Sequence, residues 1–148
     1  MPMSDEQWIW QCDYSIPSDT REGRRIAEQV LEQLETRQWS RHDIFGVHLA
    51  MEEALVNAIM HGNHMDEDKQ VHVRCRLSAD RIRIEITDEG EGFDPARLPN
   101  PTDPDRLESP RGRGVMLMRT FMSRIEYSPS GNSVILEKRR DHTPEPKQ

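Results

Sequence analysis

The stretch Phe45-Gly-Val-His-Leu-Ala-Met-Glu-Glu-Ala-Leu-Val-Asn-Ala-Ile-Met-His61 decides the reading of this chain. It predicts one helix of roughly five turns. Apolar residues fall on almost every side of it, and a helix of that kind is buried. At about 100° per residue, Glu53, Asn57 and His61 lie at successive i, i+4 steps on one stripe, with Cβ atoms roughly 6 Å apart. A carboxylate and a carboxamide therefore face the same spot. Burying either without a partner costs on the order of 1 to 3 kcal/mol. So apolar a helix holds them against a wet, occupied cavity, or else they cap a neighbouring loop or pair with an arginine.

On the N-terminal side, Ser40 is placed to cap this helix, and Gly62-Asn63 supplies a stop. Further upstream, Trp8, Trp10, Cys12, Tyr14 and Ile16 alternate with Ile9, Gln11, Asp13 and Ser15, a period of two that predicts a first strand. Pro17-Ser18 ends it. Asp19 with Glu22 resembles a capping box, after which Ile26, Ala27, Val30, Leu31 and Leu34 recur at helical spacing to about Arg37.

On the C-terminal side, Val71, Val73, Cys75 and Leu77 alternate with polar residues, and so do Ile82, Ile84 and Ile86 beyond the Ser78-Ala-Asp80 turn. That is a hairpin with one wet face. Counting on by two from Ile86, the next inward residue is Asp88, so the sheet brings a second carboxylate to the interior where the central helix must also pack. Asp88 opens Asp-Glu-Gly-Glu-Gly-Phe-Asp-Pro, in which Gly90 and Gly92 permit close approach of a ligand.

Residues 95–110 carry five of the ten prolines and no periodicity, which predicts a stiff surface loop or lid over 95–111. Arg111-Gly-Arg-Gly114 follows, then an apolar helix over Val115, Met116, Leu117, Met118, Phe121 and Met122. Glycines just before a helix expose its first amides, which suits an anion. Ile125 and Tyr127, then Val134, Ile135 and Leu136 beyond the Ser130-Gly-Asn132 turn, predict the last two strands. The tail 141–148 has no apolar residue and is expected to be disordered.

The 148 residues suit one domain, 1–140, with little room for a second. A formal charge of −7 argues against nucleic acid as a direct partner, because a phosphate-tracking surface needs a basic field, although a local basic patch is still allowed. There is no run of 18 apolar residues and no charged-then-apolar leader, so neither a membrane span nor a signal peptide is expected. The expected address is the cytoplasm. Cys12 and Cys75 lack metal-type spacing and read as reduced core residues. A metal pair of His61 and His64 is disfavoured, because Gly62-Asn63 breaks the helix between them and no third soft ligand is evident. Met116, Met118 and Met122 read as core and lid packing rather than a groove.

Each glycine motif alone is weak; their order is not. A helix bearing Glu-x-x-x-Asn, a strand-end Asp-x-Gly-x-Gly-Phe, a proline-rich lid and a Gly-x-Gly helix start resemble the Bergerat-fold (GHKL) ATPases of gyrase, MutL, heat-shock chaperones and histidine kinases. Within that superfamily the chain is most similar to the stand-alone bacterial anti-sigma factor serine/threonine-protein kinases. Ile16-Pro17-Ser18, Glu53 to His61, Phe93-Asp94-Pro95 and Gly112 to Met118 carry the likeness, which spans roughly residues 8–140. Val115 stands where Leu usually follows the second glycine. A histidine kinase would need an upstream dimerisation helix, and gyrase or MutL a transducer domain, for which little room is expected.

The resemblance implies an α/β two-layer sandwich, helices on one face of a mixed, largely antiparallel sheet. It implies ATP and Mg²⁺ as cofactors. Asn57 would give its oxygen to the metal, and Glu53 would orient or deprotonate the acceptor hydroxyl. Asp88 would accept from the adenine amino group, with Ser133 joining it through a water. Gly90 and Gly92 would pass close to the base, and the amides around Gly112 and Gly114 would hold the phosphates. Arg111 and Arg113 would neutralise phosphate charge, or else are a solvated pair. The implied function is an ATP-dependent protein serine kinase that sequesters a sigma factor and phosphorylates an anti-anti-sigma partner of the STAS type, with a homodimer expected. The alternative is a nucleotide-binding regulatory module that captures a partner without kinase activity.

Overall fold

The computed structural model describes residues 7–91 and 119–141. The expected lid, Gly92, the Arg111 to Gly114 segment and the tail from residue 142 lie outside the described residues.

Strand β1 (Trp10–Pro17) pairs antiparallel with β2 (Gln70–Leu77), and β2 with β3 (Arg81–Asp88). Beyond β3 lies β5 (Ser133–Arg139), and β4 (Arg124–Tyr127) forms the far edge, for an order β1-β2-β3-β5-β4. Every ladder among the described residues is antiparallel. The alternation in the hairpin is strict. Val71, Val73, Cys75, Leu77, Ile82, Ile84, Ile86 and Leu136 are 1% exposed or less, while Arg74 and Glu85, opposite each other in the ladder, sit on the wet face. Each such aliphatic side chain contributes about 1.5 to 3 kcal/mol by leaving water.

Two helices cover the dry face. In α1 (Thr20–Thr36) the Asp19 side chain caps the Arg21 amide, and Ile26, Ala27, Val30 and Leu34 are buried. The central helix α2 (Arg41–Val56) is capped by Ser40, whose hydroxyl accepts from the Asp43 amide at 3.0 Å. It therefore begins four residues before Phe45, with the polar cap setting the start. Nor is it buried all round: Val47, Ala50, Met51, Ala54 and Leu55 face inward, whereas Phe45 is 53% exposed and His48 and Glu52 are in solvent. The sheet and α1 together cover only part of its circumference.

From Asn57 to Gly62 the helix widens into a π-helical segment. The Asn63 amide reaches back five residues to the Ala58 carbonyl at 2.9 Å, and Met65 reaches Ile59. His64 and Met65 then take left-handed backbone, φ 51° and 57°, a conformation that costs L-residues roughly 1 to 2 kcal/mol each. That kink turns the chain back into β2. At the opposite end of the sheet the Asp141 amide bonds Asp43 Oδ2 at 2.8 Å.

Candidate functional site

The end of β3 and the π-helical end of the central helix enclose a cavity of about 250 Å³, floored by Ala54, Ala58 and Ile86 and closed laterally by Tyr127 and the 131–134 turn. Asn57, His61, Gly62, His64, Asp88 and Ser133 all reach it. Of the residues singled out in the sequence, Asn57, Asp88 and Ser133 are thus brought together. Glu53 is half-buried, one turn before Asn57, whose amide donates to the Glu53 carbonyl; it lies beside the cavity wall at Ala54 and does not itself line it.

Asp88 is held by the sheet. Its amide donates to the Asn132 carbonyl at 2.8 Å, and the Asn132 side-chain amide donates back to the Asp88 carbonyl at 3.3 Å. Among the described residues its carboxylate accepts one hydrogen bond, from the Gly90 amide at 2.9 Å. Burial pushes the Asp88 carboxyl above the ordinary carboxylate range; the Gly90 amide and the charge of Lys69 pull partly the other way. Among the described residues, a carboxylate 8% exposed thus has one donor for its several acceptor positions.

Two glycines make room for it. A Cβ on Gly62 would stand 2.3 Å from Asp88 Oδ2, and one on Gly90 would stand 2.0 Å from the Gly62 carbonyl oxygen. Only a residue without a side chain lets the helix end and the loop after β3 close around the carboxylate.

Asn63 fastens this contact. Fully buried, it donates through Nδ2 to the Ser18 hydroxyl and the Gln70 carbonyl, both at 3.0 Å, and accepts the Glu89 amide on Oδ1 at 2.8 Å. Ser18 in turn donates to the Lys69 carbonyl. One side chain thus ties the β1–α1 junction, the start of β2 and the loop after β3. Sequence reading took Asn63 only as a stop signal, since nothing in local periodicity foretells partners 7 to 45 residues away. Outside the ring, Glu89 accepts the Gln70 amide at 2.6 Å and meets His72; those two bonds, in that order, hold its carboxyl below the usual range.

Ser133 reaches the cavity wall, and its hydroxyl is engaged with that of Thr87 at 2.8 Å. Thr87 therefore competes with any bridging water for it. Among the described residues no group of three His, Cys, Asp or Glu is placed to hold a metal ion, and no helix is long and apolar enough to cross a membrane.

The donor set fits a purine nucleotide. A partly desolvated carboxylate would suit an exocyclic amino group, the apolar Ala54, Ala58 and Ile86 would suit a ring face, and the Asn57 side-chain oxygen is of the hard type that would suit Mg²⁺.

Residues 16–138 match the protein family described as histidine kinase-like ATPase domain. The anti-sigma F factor of Clostridium perfringens strain SM101 is 35% identical over 103 residues, which cover 66% of this chain and 73% of that protein. The serine/threonine-protein kinase BtrW of Bordetella bronchiseptica is 30% identical over 91 residues, 60% of this chain and 64% of BtrW. Among solved structures, the RsbU and RsbW domains of Rv1364c from Mycobacterium tuberculosis superpose with a TM-score of 0.60 at 15% identity, over 88% of this chain and 32% of that one. At that identity the superposition speaks for the fold.

Proposed function

The chain belongs to the histidine kinase-like ATPase domain family, among the GHKL-type anti-sigma factor kinases, and from that premise we propose that it is an ATP-dependent protein serine kinase acting as an anti-sigma regulator. The observation that carries the proposal is the meeting of Asn57 and the under-bonded Asp88 on one cavity at the helix end. A carboxylate retained there, against desolvation, is explained by a ligand that donates to it.

In this reading Asp88 accepts from the adenine amino group and Gly62 and Gly90 keep the wall thin beside it. Asn57 would hold Mg²⁺ by its side-chain oxygen, and when bound the metal would supply charge neutralisation on the phosphates. Glu53, half-buried one turn earlier, orients the serine hydroxyl of the acceptor and takes its proton, a role worth about 10² to 10⁴ in rate. Its position beside the cavity, not within it, suits a group that meets the protein substrate and leaves the base to Asp88. Gly92 would pass close to the base with Gly90, the amides around Gly112 and Gly114 would hold the phosphates, and Arg111 and Arg113 would balance their charge.

The names of the relatives support a sigma factor as partner and a protein serine or threonine as phosphate acceptor; an anti-anti-sigma protein of the STAS type is the acceptor we propose. A homodimer in the cytoplasm is the setting we propose. The test is phosphotransfer. With Mg·ATP the wild type should place phosphoserine on a cognate STAS protein, and Glu53→Gln should lose this activity while binding ATP with near wild-type affinity. Equal phosphorylation by the Glu53→Gln protein contradicts the catalytic role. Nucleotide-dependent capture of a partner with no phosphotransfer by the wild type would instead identify a binding module.

A further inference from the structure

The register of β1 on β2 sets Cys12 directly opposite Cys75. Facing residues of an antiparallel pair have Cα atoms roughly 4.5 to 5.5 Å apart, inside the window of about 4.4 to 6.8 Å that a disulfide spans. The two side chains point to the same face of the sheet, and both thiols are free. Their settings differ. Cys75 is fully buried in the core, whereas Cys12 is half-buried on an edge strand that a small solute can approach. Neither lines the nucleotide cavity, so packing or chemistry of their own must account for them.

We propose that Cys12 and Cys75 are a peroxide-reactive dithiol that closes to a cross-strand disulfide. Interaction with the Cys75 thiol holds the Cys12 thiol below its ordinary range, and the Cys12 thiol, then burial, push Cys75 up, so the half-buried partner ionises first. The Cys12 thiolate attacks one oxygen of hydrogen peroxide; the S–O bond forms, the O–O bond breaks, and hydroxide leaves. Cys75 then attacks the sulfenic sulfur. The S–S bond forms, the S–O bond breaks, and the departing hydroxide takes the Cys75 proton as water. Overall two thiols and one peroxide give one disulfide and two waters, the sulfurs losing two electrons that the peroxide gains.

The bond would fasten the edge strand whose continuation through Pro17 delivers Ser18 to Asn63, and so would reach the wall of the site without touching it. The experiment is intact mass spectrometry of the full chain after limited peroxide, without reductant. The expected product is a monomer about 2 Da lighter, with both thiols closed to alkylation until dithiothreitol is added. Cys75→Ala should stop at a Cys12 sulfenic acid about 16 Da heavier and trapped by dimedone. Should Cys75→Ala not fold, Cys12→Ser at the half-buried edge position serves instead, and it should leave Cys75 unoxidised. A wild type that gains oxygen while keeping the Cys75 thiol, or that cross-links only between chains, overturns the proposal.

Discussion

The two ends of the central helix each bury an aspartate, and the two carboxylates are treated in opposite ways. Asp43, in the first turn, is 0% exposed; its Oδ2 accepts the Asp141 amide at 2.8 Å and its Oδ1 faces Lys138 Nζ at 3.5 Å. Beside it Arg140 lies over the Trp39 ring and donates to the Arg37 and Gln38 carbonyls. Asp88, at the far end, has one amide donor and an open cavity. Burial alone therefore does not mark a site. Among the described residues a cation and an amide answer Asp43, and one amide answers Asp88.

The widest gap between the two ends should come from truncating the first. Asp43→Ala leaves the Lys138 ammonium, whose side chain is 16% exposed, without its partner, and should cost about 3 to 5 kcal/mol in urea unfolding. The folded fraction should still bind Mg·ATP as the wild type does. At the other end Asp88→Asn should weaken ATP binding about 100-fold, roughly 2.7 kcal/mol by calorimetry, with no loss of stability in the nucleotide-free protein. If both variants lose stability alike, the contrast between the ends is wrong.

Smaller effects sharpen the comparison. Gly62→Ala places a methyl group 2.3 Å from Asp88 Oδ2 and should displace the carboxylate, lowering ATP affinity by about tenfold. Ser40→Ala removes the cap beside Asp43 and should cost about 1 kcal/mol of stability with no change in ATP affinity. The least effect is that of pH. Because the folded Asp88 carboxyl is raised, its favourable contribution to stability is fully present below its unfolded pKa and is lost as pH rises through the folded value. The stability of Asp88→Asn relative to wild type should therefore increase from acid toward neutral pH in parallel denaturation curves.

Much of this was legible in the chain because it depends on local period. Two-residue alternation from Ile82 carried through to Asp88 and placed it inward, and Ser40 and Asp19 announced their helices by cap chemistry alone. What escaped depends on contacts between distant segments. The α-helical stripe of Glu53, Asn57 and His61 assumed constant pitch, whereas the chain goes over to π geometry at Asn57, a change that depends on the packing of the helix end; Asn57 and His61 both still reach the cavity. Apolar content made α2 look buried all round, since composition cannot tell how much of a helix two layers will cover. Asp43 drew no notice in the sequence, because its partners Lys138 and Asp141 come from the other end of the chain. The facing of Cys12 and Cys75 likewise depends on register, which alternation alone leaves open.

A crystal structure of the protein with Mg·ADP tests the central claim most directly. The account predicts the purine in the cavity between the 57–62 segment and the end of β3, its amino group within hydrogen-bond distance of the Asp88 carboxylate and Asn57 turned toward the metal. A nucleotide seated elsewhere, for example in the groove between α1 and α2 lined by Gly23, Ala27 and Leu55, with Asp88 bonded only to Gly90, would contradict it.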